Sequence, residues 1–240
     1  MTTDPRLVQA VDALTGWFSA VSVEVSDLSG GVTALLEHNL GGKAKVDKAA
    51  LVGVDDLAAE FLTRNSFAVG AGTFFATGSV NERSRPVEWW IRKPSGAIGR
   101  LKFDLTPGSH RYYDYEKLPF FSTAVSTGKQ TLWGPYIDYL GFEEYILTVS
   151  APFWVRAHFM GVVGCDIRLR DLEPLIMPHL RLIHGDAALI NASNRVILGN
   201  SGRYLVGERV KSETPHQPRL ALDVPYLGLS LIYTARPAAS

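Results

Sequence analysis

The chain has 240 residues, with 24 Lys and Arg against 24 Asp and Glu, 46% hydrophobic and 20% charged. Those are globular proportions, so wholesale disorder is excluded, and a zero net charge argues against a surface built for nucleic acid or anionic lipid. One cysteine, Cys165, excludes an intramolecular disulfide and a multi-cysteine zinc site.

That lone cysteine favours the cytosol. Asp4, Arg6 and Asp12 interrupt the start of the chain, and no signal-peptide core follows. No stretch approaches the roughly 18–20 apolar residues of a membrane span. The expectation is a soluble, cytoplasmic chain.

Residues 6–38 carry the cleanest periodicity. Leu7, Val11, Leu14, Phe18, Val21, Val25, Leu28, Val32 and Leu35 fall four and three apart, a stripe down one helix face. Gly30 and Gly31 predict a break or kink, and Gly41-Gly42 the end. The stripe has two readings: a helix packed on its own domain, or a dimerising helix.

A loop over 41–53 leads to a short helix capped by Asp55 or Asp56 and reaching about Asn65, with Leu57, Phe61 and Leu62 inward. Strands are predicted over 67–75, 87–92 and 98–104, the last two joined by the turn Lys93-Pro94-Ser95-Gly96. A helix over 114–127 ends at Gly128. Strands at 131–139, 145–154 and 159–167 follow, then a helix at 169–176 stopping near Pro178. The tail reads as strands at 186–191, 195–199, 219–224 and 229–234, with loop over 200–218. The class is α+β, with residues 1–42 as the N-terminal helix, 43–167 as a first lobe with an antiparallel sheet, and 168–240 as a second, smaller one.

Enzyme signatures fail one by one. Gly70-Ala71-Gly72 starts like a dinucleotide loop, but Phe75 stands where the third glycine is needed. No Walker loop and no Gly-x-Ser-x-Gly elbow occur. The six histidines have no metal-ligand spacing, so no metal and no cofactor are expected. Cys165 reads as a small buried side chain, Glu143-Glu144 as a solvated pair, and Arg92, Lys93, Arg100 and Lys102 as a solvated basic face.

What remains is a concentration of Trp, Tyr and Phe between residues 88 and 154, and one acid beside it. Strand alternation puts Met160, Val162, Gly164 and Asp166 on one face. A carboxylate there is costly to bury unless paired. Two partners fit: a ligand ammonium, or the amides that open the following helix.

Three stretches carry a resemblance. Thr131-Leu132-Trp133-Gly134-Pro135-Tyr136-Ile137-Asp138, Tyr145 to Pro152, and Gly161-Val162-Val163-Gly164-Cys165-Asp166-Ile167 resemble the signature of double-Cache sensor domains, non-enzymatic input domains of chemoreceptors and sensor kinases. The resemblance implies a long N-terminal helix followed by two PAS-like lobes, the first binding a small ligand. It places Tyr136 and Asp166 where the amino-acid-binding branch holds an α-ammonium. Where that branch holds the carboxylate with Arg-Pro-Trp-Tyr, this chain has Leu118-Pro119-Phe120-Phe121, with no guanidinium to pair with a carboxylate. Arg64, Arg83 or Arg85 would have to replace it.

The expected site is therefore a pocket lined by Trp90, Tyr115, Phe121, Tyr136, Asp138, Tyr145 and Asp166, holding a small polar ligand, an amine or amino-acid-like metabolite. The readout would pass to a regulatory protein partner or to a homodimer through the N-terminal helix. The alternative is an interaction or dimerisation module with a vestigial pocket. No nucleic acid and no membrane span are expected.

Overall fold

The structure, a computed structural model, describes residues 4–81, 84–138, 144–210 and 217–234. Tyr139, Glu143 and the middle of the predicted 200–218 loop lie outside them.

The first helix, α1 (Pro5–Asn39), is unbroken over 35 residues, roughly 50 Å. Asp4 caps it by accepting the Arg6 N–H at 2.9 Å, and Pro5 opens it. The predicted break at Gly30-Gly31 does not occur. Two glycines cost about 2 kcal/mol of helix propensity. Leu28, Val32 and Leu36, all buried on either side of them, offset that by packing into the core. Gly31 also lets the second helix approach, with Leu57 3.5 Å from where a Cβ would stand. The buried stripe is the predicted one, except that Ala10 and Leu36 take the places given to Val11 and Leu35. It is used inside the chain: of the two readings, packing on its own domain holds, and the stripe offers no dimer seam.

Helix α2 (Val54–Arg64) starts at Gly53, not at a capping aspartate. The chain turns there at φ 91°, which favours glycine, and Asp55 and Asp56 sit in the first turn instead. Six antiparallel strands follow: β1 (Gly70–Phe75), β2 (Val87–Arg92), β3 (Ile98–Arg100), β4 (Thr131–Ile137), β5 (Tyr145–Val155) and β6 (His158–Arg168), ordered β3-β2-β1-β6-β5-β4. The third strand is shorter than predicted. After Arg100 the chain leaves the edge and turns at Asp104, whose carboxylate accepts from Thr106 N and Ser109 Oγ. The predicted helix at 114–127 is a 3₁₀ turn, Tyr115–Lys117, followed by α3 (Pro119–Thr127). Pro119 forces Leu118 into an extended conformation and so divides them. Gly128 ends α3 at φ 65°.

Helix α4 (Leu169–Leu180) runs through Pro174 and Pro178 rather than stopping at the second. Leu172, Ile176 and Leu180 are fully buried along one side, and that packing outweighs the lost backbone bonds. The remaining strands, β7 (Ala187–Ile190), β8 (Val196–Gly199), β9 (Arg219–Ala221) and β10 (Ser230–Tyr233), form a second, four-stranded antiparallel sheet ordered β8-β7-β10-β9. The class is α+β with a long first helix and two sheets, as read from the sequence.

The six-stranded sheet has two differently packed faces. Under α1 lie Cys165, Val163, Ile167, Val149 and Leu147. On the other face Phe120 and Phe121 of α3 pack with Phe74, Trp89, Val162 and Tyr115. Alternation in β6 therefore places Cys165 and Asp166 on opposite sides of one sheet.

Because Phe18 is fully buried on α1 and Val23 is 58% exposed on the same helix, their truncations should separate cleanly. Phe18→Ala is expected to cost about 3–5 kcal/mol and Val23→Ala within about 0.5 kcal/mol, read from urea midpoints at constant slope.

Candidate functional site

Asp166 faces the α3 side of the sheet, opposite Gly70 on β1 and Thr148 on β5. It is 8% exposed. Thr148 Oγ1 donates to Asp166 Oδ1 at 2.6 Å. Since that uses the one Thr148 proton, the 2.9 Å contact between Tyr136 and Thr148 is a bond donated by the Tyr136 hydroxyl. A relay thus runs Tyr136 to Thr148 to Asp166. Burial, with Asp138 adding to it, pushes the Asp166 carboxyl up to about 8 against the Thr148 bond. Burial and then Asp166 push the Tyr136 and Tyr113 phenols well above their ordinary range.

Two local devices build this arrangement. The β4–β5 register shifts between Trp133 and Tyr136, so residues three apart reach the same side and stack with ring centroids 3.8 Å apart. At Gly70, a Cβ would stand 2.7 Å from Trp89 Nε1. Only glycine lets the indole lie across the strand beside Asp166. The Trp89 N–H is buried and has no hydrogen-bond partner.

Around the acid lies a cavity of about 10 Å³, lined by Phe74, Trp89, Leu101, Phe103, Tyr113, Phe120, Tyr136, Asp138, Thr148 and Asp166. That volume is about what one water needs. Among the described residues, six of these ten are aromatic, two are carboxylic acids, and none is Lys, Arg or His. Phe103 and Tyr113 stack on each other, centroids 4.6 Å apart, across the loop between β3 and the 3₁₀ turn.

Asp166 does not cap α4. That helix begins after Arg168 with no side-chain cap bond, and the Asp166 oxygen bonded in the structure is held by Thr148. Of the seven expected site residues, Asp166, Tyr136 and Asp138 meet at the cavity. The other four do not line it. Trp90 is on the opposite face, with the Arg100 guanidinium 5.8 Å from its ring, because its neighbour Trp89 takes the cavity side. Tyr115 is buried behind Phe74 and donates its hydroxyl to Phe75 O at 2.6 Å. Phe121 packs on Tyr115 and Phe159, while Phe120 reaches the cavity. Tyr145 is 39% exposed, its ring near Gly207.

Neither of the substitute arginines among the described residues lines the cavity. Arg64 pairs with Glu24 and Glu60 on the surface, Arg85 lies on the other face, and Arg83 is outside the described residues. The basic hairpin is not simply solvated: Arg92 donates to Leu62 O, and Arg100 to Glu88 and Val87 O. Seven lining residues were left unassigned by sequence reasoning: Phe74, Trp89, Leu101, Phe103, Tyr113, Phe120 and Thr148. Thr148 was reachable, as the β5 residue one register step from a predicted β6 acid. Phe103 and Tyr113 carry no periodic signal because they lie on a loop.

Among the described residues no group of three or more His, Cys, Asp or Glu is placed to hold a metal, and no helix is long and apolar enough to cross a membrane.

Residues 54–174, half of the chain, match a family model described as methyl-accepting chemotaxis protein-like, first PDC sensor domain. Solved structures share the fold. A methyl-accepting chemotaxis protein X superposes with a TM-score of 0.67 at 13% identity, covering 96% of each chain. The extracellular domain of a putative histidine kinase, mmHK1S-Z3, gives 0.60 at 14% identity over 96% of this chain and 94% of its own. The ligand-binding domain of the Pseudomonas fluorescens chemoreceptor CtaA, in complex with L-valine, gives 0.57 at 16% identity over 96% and 94%. The mmHK1S-Z3 domain is extracellular, whereas the sequence reading expects a cytoplasmic setting for this chain.

An acid held near 8 in the folded chain and near 3.8 when unfolded binds more protons when folded. Its contribution to stability is full below about pH 4 and lost as pH rises through about 8. Glu88, pushed up to about 7 by burial, works in the same direction. Urea unfolding should therefore show the chain weakening from about pH 5 to about pH 8 by a few kcal/mol, and Asp166→Asn should flatten that slope. An unchanged slope in the variant would mean that Asp166 is charged in the folded state.

Proposed function

We propose a sensor function on one premise: the chain belongs to the family of methyl-accepting chemotaxis protein-like first PDC sensor domains. It is a ligand-binding sensor domain, not a member of an enzyme family. The Asp166 cavity opens to take a small amine-bearing cation that lacks a carboxylate. One observation carries this reading: two acids and six rings line the cavity, and among the described residues no cationic side chain does. A ligand carboxylate would meet only like charge there, and no guanidinium would replace its water. An ammonium would meet Asp166, Asp138 and aromatic faces. The Trp89 N–H is free to turn toward whatever polar atom the ligand brings.

The closed cavity is too small for such a ligand. Of the four lining residues that lie on neither a strand nor a helix, Leu101, Phe103 and Tyr113 belong to one loop and Asp138 follows β4; the loop is the part that opens. In the closed state Asp166 is protonated at neutral pH; an arriving ammonium takes the place of that proton. The sheet carries the change to α1, which packs on β5 and β6 from the other side. From there it passes to a protein partner or a second copy through the outer face of α1, where Val8 and Val23 are exposed.

The small cavity also favours a second reading, an interaction module whose pocket is vestigial. Calorimetry with short alkylamines and the amino acids of matching skeleton separates the two. The sensor reading expects amines to bind with affinity rising with pH, up to about tenfold per unit below about pH 8, that binding to be lost in Asp166→Asn, and no amino-acid binding that depends on Asp166. If no amine binds and the chain dimerises with concentration, the vestigial reading takes its place.

A further inference from the structure

A second cavity, far larger than the one beside Asp166, opens elsewhere on the first sheet. About 850 Å³ lies on the opposite face of the six-stranded sheet, at the β2–β3 edge, beneath the start of α2. It is within the range of small-molecule sites. Its floor is Trp90 on β2, flanked by Glu88 on the same strand and Arg100 on β3.

The floor is internally paired. Glu88 is nearly fully buried and accepts from Arg100 at 2.5 Å. The same Arg100 nitrogen reaches Val87 O at 2.7 Å. Arg100 Nε is buried and has no partner. The Glu88–Arg100 pair therefore holds the floor in place.

The rim is different. Lys48 and Arg85 come from segments on either side of the cleft, and Asp55 and Asp56 from the first turn of α2. None of these four is in an ion pair or side-chain hydrogen bond among the described residues. Two cations and two anions thus face one concave space without being paired to each other. Leu51 and Val52 supply apolar wall, and Val52 is 69% exposed.

We propose that this cleft is a second binding site, for a small zwitterion carrying both a carboxylate and an ammonium. The carboxylate lies between Arg85 and Lys48, the ammonium against Asp55 and Asp56, and the apolar body over Trp90 and Leu51. Free amino acids and short peptides share that chemistry. The two faces of the sheet then sort ligands by charge: the Asp166 cavity admits a cation, and this cleft requires both signs. The site stands without the sensor reading of the Asp166 cavity.

The test is calorimetry on the full chain, with the free amino acids and a set of dipeptides as probes at millimolar concentration. At least one is expected to bind, and whether it is the amino acids or the dipeptides names the source. N-acetylation and C-amidation of the binder should each weaken it about tenfold or more, as should Arg85→Gln and the pair Asp55→Asn, Asp56→Asn. All three positions are solvent-facing, so unchanged unfolding midpoints will show that the variants fold. Asp166→Asn should leave this binding as it is. Loss of binding in Asp166→Asn with no change in Arg85→Gln would put the zwitterion in the other cavity and overturn the proposal. So would the failure of every probe to bind.

Discussion

A single buried carboxyl sets the terms for the first sheet. Strand alternation in β6 turns Asp166 away from α1, into a space where the protein provides one hydroxyl donor and otherwise rings. Had a backbone amide or a guanidinium met it, the acid would be charged and inert. With one donor, it is held as the neutral acid near physiological pH. The rest of the cavity follows from tolerating that group. The Tyr136–Thr148 relay keeps its donor oriented, Gly70 makes room for the indole beside it, and the loop with Phe103 and Tyr113 keeps water out.

The elements were legible wherever a period ran unopposed. The α1 stripe, the β2 boundaries, the αL stop at Gly128 and the β4–β6 order all follow from spacing and punctuation. Local rules failed where packing overrode them: Gly30-Gly31 did not break α1, and Pro178 did not stop α4. The site was less legible. Asp166 was found because alternation and an apolar strand single it out. Trp89 and Trp90 are adjacent, and one slip of register exchanges them, so the sequence could name the wrong one as easily as the right one. Tyr136 needed a bulge, and Tyr115 needed knowledge that Phe75 O was waiting for its hydroxyl.

The family supplies the scaffold, and the lining decides what fits. At identities of 13–16% to the solved structures, what is shared is the order of helix and sheets. Leu118 sits before α3, beside the one α3 residue that reaches the cavity, Phe120. An apolar residue there, with no arginine arriving from elsewhere among the described residues, leaves the cavity acidic and aromatic only. A site of that composition discriminates through the penalty for burying an unpaired charge rather than through shape. That penalty runs to several kcal/mol for a ligand of the wrong sign, more than a methylene's worth of fit can provide.

Closure has its own energetic consequence. In the proposed reading the cavity, with room for about one water, is the closed end of an equilibrium whose open end binds ligand. A ligand's apparent affinity is its intrinsic affinity reduced by the open fraction. The stacked Phe103–Tyr113 pair and the other buried rings hold that fraction low. A protonated Asp166 lowers it further, because the neutral acid loses nothing by staying dry. The same proton that stabilises the empty state must leave before a cation can be matched, so occupancy and protonation oppose each other at one oxygen pair. In a sensor this is useful: the resting state is held by a definite free energy that only a ligand bringing the opposite charge can overcome.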